Sequence, residues 1–487
     1  MLDNYEHIVK HLESDLADYA MKSFDSKTFV DGGELFAYYS DLWKKDIENI
    51  KLTNRTPIQH QRDRILYSNG VRKQSERYHI LYKGGQRIIR NYITHTMRMM
   101  QVARTICRAL KLNEDFAEAI VLGSKVGALP FIHASKSIVS DWIIEKVKAY
   151  DLQEEQYSSK AQKSIGLNLP EVTYLTNYPE WIRNIKNNKV KALVEEYIPF
   201  AIGQNVNEAY TSGKQGYWLL TTSPYTHESQ SNSFTPELMY GIWRHSLNAP
   251  FGKDTFLHKQ KISKASNHYH TIEWGNVSYE AIVVQYADDI TWVIENLNDA
   301  NNATLLNNPQ NKGLFQEIFD QGNFDSVLLM QGLSKRDSGK LYSFFINDFI
   351  NYSKVILEKR ADRLESKMLL KEGDKDLLIG LSLEGKAILK SFKDFLNERV
   401  FRENKVFHRK QMLETITEGC IDLIYQDKEF LMKYIETKGN IEGWNEDQKR
   451  AATELLNNDI HRIQVTVNIF SELSDQEIFS FVGMDSF

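Results

Sequence analysis

The chain has 487 residues, 42% hydrophobic and 26% charged, an ordinary globular balance with ample length for a large core. No run of about 18 apolar residues occurs, so no membrane-spanning helix is expected. The opening residues lack the basic start and apolar stretch of a secretory leader. The only cysteines, Cys107 and Cys420, argue against a disulfide framework and fit a reducing, cytoplasmic setting.

The elements read in chain order as all-α, with nine prolines and long stretches of 3.6-residue periodicity. Residues 1–50 predict one or two helices broken at Gly32-Gly33. A helix is expected over 86–111, with Ile93, Met97 and Met100 on one stripe and His95, Met99, Val102 and Ile106 on the next. Asn113 then reads as the N-cap of a helix over 114–124, with Glu114 and Asp115 in its first turn. The turn Gly127-Ala128-Leu129-Pro130 ends it. Residues 141–216 read as peripheral helices and loops, and 222–233 as a polar loop containing His227-Glu228.

Thr235 to His245 predicts a helix with Pro236 at its first position. Residues 248–276 read as a mobile-looking loop, in which His268-Tyr269-His270 is expected to be exposed and not metal-binding. A long helix follows from Ser278 to Ala300. The domain reading is N-terminal helices over 1–50, a core over 51–310, and a helical C-terminal region over 311–487 packed on that core.

Charge is unevenly spread. From Lys51 to Lys111 there are 14 Lys/Arg against only Asp63 and Glu76, a local +12 in a chain of net −5. Such a segment is either a solvated helical face or one that meets phosphates.

Several ordered motifs then carry a resemblance. They are Asn54-Arg55-Thr56-Pro57, Gln61-Arg62-Asp63-Arg64, Arg90-Asn91-Tyr92-Ile93-Thr94-His95, Gly123-Ser124-Lys125-Val126-Gly127 running on to His133, Phe234 to His245, and Ala287-Asp288-Asp289-Ile290. Together they resemble the deoxynucleoside triphosphate triphosphohydrolases (dGTPase-like) of the HD superfamily, well over about 50–300 and loosely beyond. The resemblance implies an HD-type helical core and a metal held in the order His…His-Asp…Asp. Imidazole and carboxylate suit Mn, Mg, Co, Fe or Zn, which polarise phosphate and help generate hydroxide. Carried over, His95 keeps the first ligand and Asp288 the last. Ser124 and Lys125 stand where the central His-Asp pair belongs.

The same resemblance makes His133 the catalytic histidine, with Lys136 in place of its acidic partner. Nucleotide contacts fall on His79, Trp292 and Asn296, the last two replacing a tyrosine and an aspartate. Phosphate-facing candidates are Arg55, Arg64, Arg72, Lys73, Arg77 and Arg90, since a guanidinium fork suits phosphate oxygens. Asp289 reads as a structural contact on a helix face. The competing reading of His95 and His133 is that they are satisfied core histidines, and Asp288 would then be an ion-pair partner of Lys125.

The function expected is therefore a dNTP triphosphohydrolase-like protein deficient in hydrolysis, with no metal bound. It would act as a nucleotide-binding, sensing or structural subunit, in a homo-oligomer or with an active paralogue. The alternatives are an active enzyme with a remodelled metal site, releasing deoxynucleoside and triphosphate, and a single-stranded nucleic-acid-binding protein. No membrane partner is expected.

Overall fold

The architecture is organised around one helix whose faces are nearly all inside, described here from a computed structural model. Residues 2–23, 55–78, 90–161, 184–197, 209–221, 234–245, 256–263, 266–272, 277–303, 305–307, 309–321, 338–361, 369–370, 377–438, 450, 453 and 456–483 are described. Chain order begins with α1 (Leu2–Leu12), α2 (Pro57–Leu66), α3 (Asn69–Lys73), α4 (Tyr92–Ala109), α5 (Glu114–Val126) and α6 (His133–Ala161). It continues with α7 (Asn188–Tyr197), α8 (Ser212–Thr221), α9 (Pro236–Arg244), strands β1 (Phe256–Ser263), β2 (Ser266–Ile272) and β3 (Val277–Ser278), and α10 (Tyr279–Asn302). Then come α11 (Pro309–Gln321), α12 (Gly339–Ala361), β4 (Leu369–Leu370), α13 (Leu383–Phe395), α14 (Asn404–Gln426), α15 (Lys428–Lys438), α16 (Asp459–Glu472) and α17 (Asp475–Phe481). Among the described residues the fold is all-α apart from two small two-stranded pairs. No helix among the described residues is long and apolar enough to cross a membrane.

Local sequence sets the helix starts. Thr56 and Gln59 form a capping box before α2, with Pro57 at its start. The side chains of Asn91, Asn113 and Ser278 each accept a backbone N–H to begin α4, α5 and α10. The expected helices over 86–111, 114–124, 235–245 and 278–300 correspond to α4, α5, α9 and α10, with residues 86–89 outside the described set. The Gly32-Gly33 break and the polar loop over 222–233 also lie outside it.

Every residue of α5 from Phe116 to Val126 is buried. Helices α2, α4, α8, α9 and α10 pack around it. Two glycines make the closest of these approaches possible. A Cβ at Gly216 of α8 would strike the carbonyl oxygen of Gly123 on α5, and one at Gly123 would strike Ile242 of α9. The first core gathers α5 with Ile58, Val102, Leu238, Val283 and Ile290, and also takes in Phe345 of α12 and Phe392 of α13. A second core joins Val139, Ile143 and Val147 of α6 to Ile421 of α14 and Ile460 of α16.

Two expectations are corrected. Residues 248–276 are not simply a loop, because β1 and β2 form an antiparallel hairpin within them. Tyr269, Thr271 and Ile272 are residue types that favour strands, despite the low apolar content of the segment. The span 141–216 is not merely peripheral, since α6 supplies much of the second core. Both Cys107 and Cys420 are free and buried.

Glu280, in the first turn of α10, ties three segments together. Its Oε1 accepts the backbone N–H of Met21 at 2.9 Å and of Asn113 at 3.1 Å. Burial raises its pKa from 4.5 to about 6, against the lowering effect of these two donors.

Two outcomes are expected. Gly216→Ala should force α8 away from α5 and cost about 1–3 kcal/mol in urea unfolding, with the backbone carbonyl of Gly123 unable to yield. For Glu280 the folded pKa lies above the ordinary one, so the native state binds more protons between 4.5 and 6. Its contribution is greatest below pH 4.5 and is lost as pH rises through 6, a change of about 2 kcal/mol. Glu280→Gln keeps an acceptor oxygen and removes the charge. Its stability relative to the unsubstituted chain should rise by that amount from pH 4.5 to 7 in urea titrations.

Candidate functional site

The site forms where α4, α5, α9 and α10 converge. Lys125 lies near the end of buried α5, so its side chain is only 5% exposed. Its Nζ donates to Asp288 Oδ2 at 2.8 Å and lies 3.3 Å from His245 Nε2. It also sits 6.0 Å from the centre of the Tyr92 ring. Burial alone would lower the lysine pKa, but Asp288 and then Tyr92 outweigh it and the pKa is raised. The side chain at this position is therefore an ammonium at neutral pH.

Asp288, on α10, is shared by three groups. Its Oδ1 faces His95 Nε2 at 3.0 Å, and its Oδ2 faces His245 Nε2 at 2.8 Å as well as the ammonium. Burial would raise its pKa; Lys125 and then His245 and His95 hold it well below the usual carboxylate range. His95, on α4, places Nδ1 at 2.6 Å from Glu295 Oε2. With a carboxylate at each ring nitrogen, both nitrogens donate, so the network assigns an imidazolium. Burial opposes this charge, but the hydrogen bonds to Asp288 and Glu295 prevail and raise the pKa.

Glu295, one helical turn beyond Trp292, is completely buried and carries the largest share of cations. Besides His95 it binds Arg90 through Oε2 and Arg98 through Oε1, the latter at 3.0 Å. Burial raises its pKa, but His95, Arg90 and Arg98 outweigh it and lower the value. Arg90 also meets Asp299 at 2.7 Å. His245, the C-cap of α9, differs from His95. Burial first, and then the Lys125 charge, lower its pKa, so a neutral ring donates Nε2–H to Asp288. His133, the first residue of α6, is exposed at the mouth of the site. Crowding by protein, with the charges of His95 and Lys125, pushes its pKa down to about 4.

These donors do not fit a divalent cation. His95 has no lone pair to offer, and the ammonium of Lys125 already binds the carboxylate oxygen that a metal would need. At about 4 Å, an effective dielectric near 20 sets the repulsion between a divalent ion and the ammonium at roughly 8 kcal/mol. The Ser124 hydroxyl is turned away, donating to the carbonyl of Val121 at 2.8 Å on its own helix. Among the described residues whose side chains are placed, no group of three or more His, Cys, Asp or Glu is arranged to hold a metal ion.

The other sequence candidates are scattered. Arg77 is completely buried, and its Nη2 donates to the carbonyls of Ser471 and Leu473 at the end of α16. Arg55 is paired with Asp63 at 2.7 Å, and Lys73 with Glu76 and Glu477. Arg64 is partly buried on α2, and Arg72 is exposed on α3. Trp292 sits between His133, edge-on at 6.5 Å, and Phe401 at 5.8 Å. The Asn296 amide donates back to the carbonyl of Trp292 at 2.7 Å. Asp289 pairs with Lys393 at 2.6 Å, a contact on the outer face of α10. His79 and His227-Glu228 lie outside the described residues.

Sequence reasoning brought His95, Lys125 and Asp288 together but missed Glu295 and His245 as members of the network. A signal for Glu295 was present. Asp288, Trp292, Glu295 and Asp299 recur at helical spacing, so one stripe of α10 carries three carboxylates toward α4.

Comparison with known proteins adds a partial kinship. No protein-family model matches the chain. A segment of 93 residues is 40% identical to a deoxyguanosinetriphosphate triphosphohydrolase-like protein of Caldanaerobacter subterraneus subsp. tengcongensis, covering 19% of this chain and 27% of the relative. Proteins of the same description match at 38% over 87 residues in Desulfatibacillum aliphaticivorans and at 37% over 93 residues in Bartonella tribocorum. These matches cover 18% and 19% of this chain. They cover 25% and 23% of the relatives, so the matched segment spans about a quarter of the length of the curated relatives.

The network predicts a strong dependence on matched charge. Lys125→Met leaves Asp288 with His95 as its remaining charged partner and should cost roughly 3 kcal/mol, at the low end for a broken buried pair because Asp288 keeps that partner and still reaches solvent. Asp288→Asn in the Lys125→Met background should recover much of that loss. A double-mutant cycle by urea unfolding reads the coupling, and additive losses would show that the two groups act separately.

Proposed function

Because the chain is a relative of the dGTPase-like proteins, we propose that it is a non-hydrolysing member of a dNTP triphosphohydrolase-like family. The observation that carries this reading is the Lys125 ammonium bonded to Asp288, with His95 held as an imidazolium between Asp288 and Glu295. Hydrolysis of a phosphoanhydride or phosphoester needs an activated water and an electrophile to take up charge on phosphate oxygens. Here the cations already have carboxylate partners. His133 and His245 are the neutral imidazoles, and the Nε2 of His245 is already committed to Asp288.

The role that fits best is a structural subunit, assembled with itself or with an active paralogue. Triphosphate binding is disfavoured by the fate of the arginines. Arg90 is taken by Glu295 and Asp299, and Arg77 by backbone carbonyls. The basic segment over 51–111 fares similarly. Arg62 pairs with Asp63, Asp115 and Glu118, while Arg104 and Arg108 pair with Glu114. A nucleic-acid-binding face would instead leave guanidinium groups for phosphates.

The test is turnover of each dNTP in the presence of Mn, Mg, Co, Fe or Zn, with release of triphosphate and of deoxynucleoside both measured. Neither product should exceed the background of a heat-denatured sample. Metal-dependent release of triphosphate that disappears in His95→Ala would overturn the reading.

A further inference from the structure

The turn that leads into α6 carries a strained backbone. Phe131 and Ile132 both adopt left-handed conformations, with φ of 54° and 48°. Such angles are disfavoured for any residue with a Cβ, and most of all for a β-branched one. Two in succession persist only where the surroundings hold them. They lie directly before His133, so they set where its ring stands at the mouth of the site, edge-on to Trp292.

A side chain from the far end of the sequence supplies the hold. Asp475, the first residue of α17, is only 5% exposed. Its Oδ1 accepts the backbone N–H of Phe131 and its Oδ2 that of Tyr78, both at 2.8 Å. One turn further along α17, the Phe479 ring packs against the Phe131 ring at 5.2 Å between centres. Tyr78 pairs with Asn91, the N-cap of α4, which is the helix of His95. One carboxyl thus joins the segment before α4 to the segment before α6. We propose that Asp475 is a proton-controlled latch. Its carboxyl holds the Phe131–Ile132 turn closed and keeps His133 at the mouth, and one proton gained or lost there sets how often the turn opens.

The direction follows from linkage. Burial raises the Asp475 pKa from 3.8 to about 6, against the lowering effect of the Phe131 and Tyr78 donors and then of Arg77 and Arg409. In an opened turn the carboxyl meets water and regains its ordinary value. The closed turn therefore binds the proton more tightly, is held most firmly at low pH, and loosens as pH rises through 6. The surrounding groups keep one charge state through that range. Arg77, from the segment before α4, and Arg409 of α14 stay cationic. Tyr92 and Tyr210 beside Arg77 are kept neutral by burial. Glu477 of α17 is held ionised, burial being outweighed by the Ser474 amide and Lys73 of α3. Glu472, at the end of α16, is the remaining carboxylate near Arg77. The latch stands apart from the Lys125–Asp288 pair and does not rest on the proposed loss of hydrolysis.

The test is amide hydrogen exchange of the full-length chain, read by mass spectrometry on peptides that span Leu129 to Ala134. Corrected for the intrinsic exchange rate, opening there should rise about tenfold from pH 5 to pH 7.5, as one group titrating at about 6 requires. Asp475→Asn keeps one acceptor and cannot ionise, so opening should be more frequent and flat across that range. Glu280→Gln removes another buried carboxyl that titrates at about 6 and should leave the tenfold rise intact. NMR of isotope-labelled histidine reads the link to the site. His133 should titrate at about 4 in the unsubstituted chain and nearer 6.5 in Asp475→Asn, where its ring escapes its crowded place. A flat profile in the unsubstituted chain, or a tenfold rise that persists in Asp475→Asn or vanishes in Glu280→Gln, would overturn the proposal. A His133 titration unmoved by Asp475→Asn would also overturn it, by separating the carboxyl from the mouth.

Discussion

The ion pair between Lys125 and Asp288 is the contact on which the arrangement of the central helices depends. Helix α5 is enclosed by its neighbours, and Lys125 near its end is buried with it. An ammonium there is tolerable only with a carboxylate within hydrogen-bond reach, and Asp288 supplies it at 2.8 Å. The requirement is mutual. Asp288 faces two imidazoles and a lysine, and without the lysine its remaining charged partner would be His95. Such a pair contributes less to stability than to specificity, because desolvation offsets much of the attraction. It fixes which turn of α10 lies against which turn of α5.

Glu295 extends the same logic to α4. One carboxylate with no exposure receives His95, Arg90 and Arg98, and Asp299 takes part of Arg90. This explains why a segment with a local +12 need not present a basic surface. Its guanidinium groups are met by carboxylates from α5 and α10, tens to hundreds of residues away in the chain. Charge counted along a sequence describes the unfolded chain. In the folded protein, Asp115, Glu118, Glu295 and Asp299 complete the balance across helix interfaces.

Much of this was legible in the residues, and the gaps have physical causes. Helix starts were readable because a cap is a local bond: Asn113 reaches Phe116, and Ser278 reaches Ala281. The juxtaposition of His95, Lys125 and Asp288 was readable because each sits in a recognisable ordered motif. Arg77 was not, since its burial depends on α16, which begins almost 400 residues later and whose carbonyls need a donor. His245 was hidden for a related reason. Its role arises from the end of α9 meeting α10, a meeting that Gly241 permits by letting α9 approach Ile120 of α5. The hairpin was missed because its strands are rich in histidine, lysine and other polar residues and carry no apolar alternation. The division into two cores was missed because α12 and α13 join one core and α14 and α16 the other, a partition with no marker in composition.

Under the proposed function, the identity of residue 125 separates two ways in which a site can do without a metal. Deleting a ligand leaves a weakened site, and the remaining donors still attract a cation. Placing an ammonium there supplies the cation covalently. Asp288 then keeps its charge without any ion from solution, and His95 can take up a proton because nothing competes for its nitrogens. The exchange demands a side chain long enough to cross from α5 to α10 and a backbone that cannot drift. Lysine meets the first demand. The second is met by the close crossing at Gly123 and Gly216, which holds α5 against α8. The position of the ammonium is thus set by main-chain packing, and the carboxylates and imidazoles around it have adjusted their protonation to match.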